Sequence, residues 1–150
     1  MYNDLTLQAL PKQEYIELLG ISLYVFNSNN SFIIENILNT QEDLDLNWYD
    51  LIDFTSGNII EPAKKTILEK TKRTDNEELG NKIINLFIEL TSKRNRIIHA
   101  FCITYPDSKE QLLATKDKNN LQYPITTEYL KAFIKQNSIL SSLLHEFRGK

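Results

Sequence analysis

Residues 93–99 bring side chains suited to acid–base and phosphate chemistry into one short segment, Lys-Arg-Asn-Arg-Ile-Ile-His. Arg94 precedes His99, one of two histidines in the chain, by five residues, and Asn95 directly follows the arginine. An imidazole titrates near neutral pH, so it can donate or accept a proton in a reaction. An arginine carries a permanent charge, and its planar fork fits two oxygens of a phosphate. These residue types therefore predict chemistry at a phosphate group.

Cleavage of RNA by its own 2′-hydroxyl needs a base, an acid and a cation that stabilises the extra negative charge on phosphorus. His99 suits the first two roles and Arg94 the third, while Lys93 and Arg96 could hold flanking phosphates. On a helix, positions five apart differ by about 140° in direction, whereas positions four apart face the same side. Asn95 can therefore orient His99 or contact phosphate, and Arg94 must reach round the helix. One subunit supplies a single acid–base group, so a two-fold dimer would complete the site.

A structural interpretation of the same segment stays open. Cations at the C-terminus of a helix are stabilised by its dipole, which alone accounts for Arg94, Arg96 and His99. The second histidine, His145, has no motif around it, and we interpret it as a surface or partly packed residue.

The sequence predicts no metal ion and no cofactor. With two histidines and one cysteine, a structural zinc site is not expected. The acidic residues within 42–53 are not expected to bind a metal either, because the spacing at 42, 43 and 45 fits a helix N-terminus better and no histidine lies nearby in sequence. Trp48 and Tyr49 in that segment could stack on bases, although core packing is the simpler interpretation. The chain also lacks a glycine-rich phosphate loop and a Gly-x-Ser-x-Gly segment.

The element that must position the motif is a long helix predicted from about 76 to 99, with Asp75 or Asn76 as its cap. Its apolar side chains point almost all round the helix, so the helix should be buried on more than one side. One side is expected to face the protein core and another a second subunit. These side chains are Leu79, Ile83, Ile84, Leu86, Phe87, Ile88 and Leu90.

The N-terminal half is predicted to form several shorter helices. The polar cluster at 27–31 indicates a break between the first two. Gly57 is a plausible helix stop, and Pro62 suits the first turn of the next helix, where a missing amide hydrogen costs nothing. The predicted helices cover about residues 12–26, 32–38, 43–54 and 62–72.

After the motif the pattern changes to β-prone residues separated by turns. A final helix, capped by Thr126 or Thr127, runs to about Phe147 and must return across the bundle to bury its apolar stripe. The expected fold is a mainly α helical bundle with a small β-hairpin inserted before the C-terminal helix, as a single domain, 1–150. The predicted short strands cover 101–105, 111–116 and 121–123.

The charges are distributed unevenly along a chain whose net charge is −3. Residues 1–61 carry one base against ten acids, and residues 62–150 carry sixteen bases against ten acids. A phosphate-binding surface needs only a local basic field, which the second part could supply. The alternative is that these cations lie on solvated helix faces.

A single cysteine, Cys102, fits a reducing cytoplasm. We see no signal peptide in 1–12 and no apolar run that spans a membrane.

The Arg94-Asn95-x3-His99 motif, at the end of an apolar helix, resembles the signature of the HEPN superfamily (higher eukaryotes and prokaryotes nucleotide-binding domains). The β-hairpin after the motif resembles the abortive-infection-type HEPN proteins of bacteria. HEPN toxins paired with a minimal nucleotidyltransferase often carry a tyrosine two residues after the histidine, where this chain has Phe101. The resemblance implies a ribonuclease site shared across a dimer interface, with Arg94 and His99 as the catalytic pair and Asn95 in support. The products would carry a 2′,3′-cyclic phosphate and a 5′-hydroxyl.

The motif and the resemblance together predict a cytoplasmic, homodimeric, metal-independent endoribonuclease that acts on RNA. Its setting would be bacterial antiphage defence or toxin activity, and a partner protein could regulate it. The alternative is a non-catalytic HEPN-like module that binds nucleotide or a protein through the same cleft. Catalysis predicts two Arg94/His99 pairs that face each other across a two-fold axis and are open to solvent. A binding or structural role allows a buried His99 or two pairs that lie far apart.

Overall fold

Helices account for most of the chain that the computed structural model describes, residues 3–40 and 46–149. Strands between the last two helices form an antiparallel sheet in chain order, so the mainly α prediction is confirmed and the predicted hairpin is part of a three-stranded sheet. The elements are a 3₁₀ turn (Asn3–Leu5), α1 (Gln13–Thr40), α2 (Trp48–Asp53), α3 (Ser56–Ala63), a π-helical turn (Lys64–Leu68), α4 (Glu69–Arg73), α5 (Glu77–Ile98), β1 (Phe101–Thr104), β2 (Gln111–Lys116), β3 (Gln122–Ile125) and α6 (Thr127–Arg148).

Three aromatic rings mark the centre of the bundle, where α1, α5 and α6 meet. The ring of Phe26 stacks on those of Phe87 and Phe133, with centroids 6.3 and 6.2 Å apart. All three side chains are buried, so they contribute apolar contact area where these helices meet. Within the described ranges, no helix has the combination of length and apolar character needed to cross a membrane.

Helix α1 continues through residues 27–31, where the sequence predicted a break. Asn29 is buried there, and its amide donates to the backbone carbonyl of Asn137 on α6 at 2.8 Å and to its side-chain oxygen at 3.0 Å. Asparagine disfavours helices because its side chain competes for nearby backbone groups. Here a partner on another helix satisfies that side chain, so the predicted break was wrong for a tertiary reason.

The helix boundaries predicted at Gly57 and Pro62 were also wrong, because both residues lie inside α3. Thr55 caps this helix by accepting a hydrogen bond from the backbone N–H of Asn58 at 3.3 Å, which places Gly57 in the first turn. A proline within a helix disrupts the regular ladder of hydrogen bonds. The chain nevertheless continues through the π-helical turn Lys64–Leu68 into α4, so the helical path does not end at Pro62.

Helix α2 covers only the later part of the helix predicted over 43–54. Asn47 and Asp50 cap it reciprocally, each side chain accepting the backbone N–H of the other. Residues 42–45, which include three of the acidic residues, lie outside the described part of the chain. Trp48 packs partly against the core, as expected, whereas Tyr49 is 75% exposed, so core packing was the wrong interpretation for Tyr49.

Tyr15 of α1 attaches the sheet to the bundle. Its hydroxyl donates to the carbonyl of Ile125 at 2.7 Å and accepts the backbone N–H of Leu113 at 3.1 Å. Burial raises the pKa of Tyr15, which keeps the hydroxyl protonated and able to donate. The sheet is therefore fixed beside the bundle directly after the C-terminal end of α5, which is where the motif lies.

The packing of α4 on α5 depends on Gly80. A Cβ at this position would lie 2.1 Å from Oγ1 of Thr71. We expect Gly80→Ala to lower the free energy of unfolding by about 1–3 kcal/mol, because overpacking outweighs the better helix propensity of alanine. Gly20 on α1 is the matched control, since a Cβ there meets nothing within 4 Å. Gly20→Ala should stabilise by about 0.5–1 kcal/mol, and urea unfolding of both variants measures the contrast. A stabilised Gly80→Ala protein would contradict the close contact.

Candidate catalytic site

Arg94 projects from α5 towards α1 and α3 and is held there by neutral groups. Its Nη2 donates to Oγ of Ser56 at 3.1 Å, and its guanidinium carbon lies 5.0 Å from the centroid of the Phe26 ring. Oγ of Ser56 in turn donates to Oδ1 of Asn30 at 3.0 Å. Burial lowers the pKa of Arg94, although an arginine remains charged at any physiological pH. Hydrogen bonds and the face of an aromatic ring thus position a cation in the bundle.

No carboxylate in the described part of the chain pairs with Arg94. Its Nε is buried and also lacks a hydrogen-bond partner among those residues. Removing a cation from water without a counter-ion costs free energy that an ion pair would partly offset. The arrangement leaves the charge of Arg94 without a counter-ion, which an anion such as phosphate would supply.

His99 follows the last residue of α5, Ile98, and caps the helix C-terminus. Its backbone N–H donates to the carbonyl of Asn95 at 3.0 Å, so the chain keeps its helical path up to the histidine. The side chain is exposed and forms no hydrogen bond or ion pair with the residues that the structure describes. The imidazole is therefore open to exchange a proton with a bound substrate.

The structure does not bring Arg94 and His99 together within one subunit. Five residues of helix separate their directions by about 140°, and the contacts of Arg94 lie in the bundle while His99 is exposed. Asn95 and Arg96 are exposed and precede the histidine by four and three residues, so they share its side of α5. Of the two arginines in residues 93–99, Arg96 is therefore the one that lies on the same side of α5 as the imidazole. The catalytic roles of Arg94, Asn95 and His99 stay predictions.

Lys93 is already engaged between α5 and α6. Its Nζ lies 3.1 Å from a carboxylate oxygen of Glu89 and donates to Oε1 of Gln136 at 2.7 Å. This lysine is also the main reason that the pKa of Glu89 is lowered. Because a carboxylate balances its charge, Lys93 is a weaker candidate for binding phosphate than Arg96, and both assignments stay predictions.

Ser56 and Asn30 complete the surroundings of Arg94, and neither residue was predicted from the sequence. Asn30 lies in the polar cluster that predicted a break, and Ser56 lies 38 residues before the arginine. No spacing rule connects positions so far apart in the chain. Only the packing of α1 and α3 against α5 brings them to the guanidinium.

Most apolar side chains of α5 pack within the same chain, which removes the apolar face expected for a second subunit. Of the seven predicted, Ile88 alone is classed as exposed, with 37% of its surface accessible. A different stripe runs along the outside of α5, with alternating spacings of four and three residues that keep it on one face. Its members are Asn81, Asn85, Ile88, Ser92, Asn95 and His99.

Within residues 3–40 and 46–149, no three His, Cys, Asp or Glu side chains group together in a way that could hold a metal ion. Comparison of the chain with protein-family models, curated proteins and solved structures finds no match. The HEPN assignment accordingly depends on the motif and its helical setting, and it stays a prediction.

Proposed function

We propose that this chain is a HEPN-type, metal-independent endoribonuclease of the cytoplasm, with antiphage defence or toxin activity as its setting. The observation that supports this most strongly is the state of Arg94. This cation is partly buried, held by Ser56 and Phe26, and without a carboxylate among the described residues. A negatively charged scissile phosphate would supply the missing counter-charge, and the charge increases further in the transition state.

The proposed reaction needs no group beyond the two histidines of a dimer and the arginine. His99 of one subunit accepts the 2′ proton while the 2′ oxygen forms a bond to phosphorus. The bond from phosphorus to the 5′ oxygen breaks, and His99 of the partner subunit donates a proton to that oxygen. Arg94 reaches round α5 from its contact with Ser56 to stabilise the charge on the non-bridging oxygens, and Asn95 orients the imidazole or contacts phosphate. The products are a 2′,3′-cyclic phosphate and a 5′-hydroxyl.

The polar stripe on the outside of α5 is the surface that would bring two motifs together. Ile88 is its one apolar member, and His99 lies at its end. A face of this composition contains little apolar area, so association should be modest and a partner protein could regulate it.

We expect Ile88→Lys to weaken dimerisation by about tenfold or more, since like charges face each other across a two-fold contact. Cleavage should fall with it and recover at high protein concentration. Sedimentation and a cleavage assay over a range of protein concentrations measure the two effects. Ile139→Lys, at an exposed isoleucine on α6, is the matched control. A dimeric, fully active Ile88→Lys protein would place the subunit contact elsewhere.

The second candidate function is a non-catalytic module that binds nucleotide or a protein. It is favoured by the separation of Arg94 from His99 within one chain, because an anion site needs only the arginine. Incubation of the folded protein with labelled RNA in EDTA distinguishes the two. Cleavage that leaves cyclic phosphate ends supports the nuclease, and RNA binding without cleavage by a folded dimer supports the module.

A further inference from the structure

A second group of cations surrounds a cavity of about 570 Å³ where the end of α5, the turn between β2 and β3 and the start of α6 meet. Arg96, Lys116 and Lys118 line it with charge, and Tyr123 and Tyr129 line it with aromatic rings. Cavities of about 300–1,000 Å³ are typical of sites for small ligands. Its size and lining therefore indicate a ligand with an anionic part and a flat part.

Asp117, the one acidic side chain that lines this cavity, forms hydrogen bonds within the turn between β2 and β3. Oδ1 of Asp117 accepts the backbone N–H groups of Asn119 and Leu121 at 2.8 and 3.0 Å. Its Oδ2 accepts the hydroxyl of Tyr123 at 3.4 Å. These hydrogen bonds direct the carboxylate into the turn and fix the aromatic ring beside it.

Within the described ranges, no acidic side chain neutralises the three cations of the cavity by an ion pair. Lys116 donates to the neutral side-chain oxygen of Asn120 at 3.0 Å. Arg96 and Lys118 are exposed, and none of the three forms an ion pair with an acidic side chain in the described ranges. Three cations against one internally bonded carboxylate give a local positive field that favours phosphate.

The aromatic rings are positioned by different contacts. The hydroxyl of Tyr129 donates to the backbone carbonyl of Lys93 at 3.2 Å, which fixes this half-buried ring against α5. Tyr123 is 47% exposed and lines the cavity, so part of its side chain is accessible to a ligand. Any of the four bases can stack on such a ring, because every base has a π-face.

Arg96 connects the cavity to the motif. It lines the cavity and lies three residues before His99 on the same side of the helix end. A strand whose scissile phosphate reaches the imidazole can therefore continue over Arg96 into the cavity.

We propose that this cavity binds one nucleotide unit of single-stranded RNA, its base on Tyr123 and its phosphates on Arg96, Lys116 and Lys118. That the nucleotide belongs to an RNA strand depends on the proposed function. The cavity thus acts as a subsite that holds the strand next to the cleavage position.

The test uses the full chain carrying His99→Ala, so that binding is measured without cleavage. A fluorescein-labelled eight-nucleotide RNA is titrated at several salt concentrations against three proteins. These are the His99→Ala protein itself, the same protein with Tyr123→Ala added, and the same protein with Lys116→Ala and Lys118→Ala added together. We expect about tenfold weaker binding for Tyr123→Ala, as stacking losses of this size are common. The lysine pair should lower the slope of log K against log salt by about 1.4, since each phosphate contact on a single strand contributes about 0.7. Lys72→Ala, at an exposed lysine of α4 outside the cavity, should change neither quantity.

Loss of binding in both cavity variants, but not in Lys72→Ala, supports the proposal. Unchanged binding in the cavity variants overturns it, and cleavage of RNA by the wild-type protein decides the proposed function separately. Adenosine monophosphate replaces the RNA in a parallel titration. If the monophosphate binds through Tyr123 and the octamer does not bind, the site is for a free nucleotide and the assignment to RNA is overturned.

Discussion

Replacing His99 by alanine is expected to lower the rate of RNA cleavage by about 10²- to 10⁴-fold, the usual contribution of a general acid or base. The side chain is exposed and makes no hydrogen bond or ion pair with the described residues, so its loss removes no buried contact. The free energy of unfolding should change by less than about 1 kcal/mol, since substitutions of exposed side chains without specific contacts usually have small effects. Rates with labelled RNA in EDTA and urea unfolding measure the two quantities.

His145→Ala provides the matched control, because the chain has one other histidine. His145 is also exposed, and its ring packs on Phe32 with centroids 4.6 Å apart, away from the motif. Cleavage by this variant should equal that of the wild-type protein. Equal cleavage by His99→Ala and wild type would assign the activity to another site or to a contaminant.

Replacing Arg94 by methionine is expected to reduce cleavage by about 10³-fold, as losses of one transition-state cation or donor commonly do. Stability should stay within about 1 kcal/mol of wild type, because methionine fills similar space and removes a partly buried charge that has no carboxylate partner among the described residues. The remaining hydrogen bond from Ser56 to Asn30 keeps that hydroxyl satisfied. Loss of activity without loss of stability is the signature of a cation retained for a ligand.

Arg94→Lys separates charge from geometry at the same position. A lysine keeps the positive charge and lacks the fork, so it should restore only a small part of the cleavage rate. A loss of more than about 2 kcal/mol of stability in Arg94→Met would instead identify the arginine as a structural link between α1, α3 and α5. That result, with cleavage unaffected after correction for the folded fraction, would contradict a role in catalysis.

The variants His99→Ala and Arg94→Met together distinguish the proposed nuclease from a binding module. A nuclease needs both residues, so each substitution should lower cleavage by about 10²-fold or more. A module that binds an anion needs Arg94 alone, and His99→Ala should then bind RNA or nucleotide as tightly as the wild-type protein.

Periodicity in the sequence determined the elements that depend on local pattern. The long helix predicted from 76 to 99 matches α5, and the strand predicted over 111–116 matches β2 residue for residue. The final helix, capped by Thr126, also lies where the pattern placed it. Each of these elements has caps, turns or an apolar repeat within a few residues of itself, so the local sequence carries the information.

Elements whose stability comes from distant partners were not predictable in the same way. The polar residues at 27–31 carry a strong turn signal, and Asn29 is helical because α6 supplies its hydrogen-bond partner. Gly57 and Pro62 carry boundary signals that the packing of α3 overrides. Local propensity is worth a fraction of a kilocalorie per residue for most residues, which tertiary contacts readily exceed.

The sequence by itself determined that an arginine, an asparagine and a histidine share one helix end, and that Asn95 faces the side of His99. Only the tertiary structure decided that Arg94 turns into the bundle, where Ser56 and Phe26 hold it, and that Arg96 lies at a cavity built by the sheet. The physical reason is that helix geometry fixes the direction of a side chain, whereas burial, charge balance and partners depend on whichever elements pack against it.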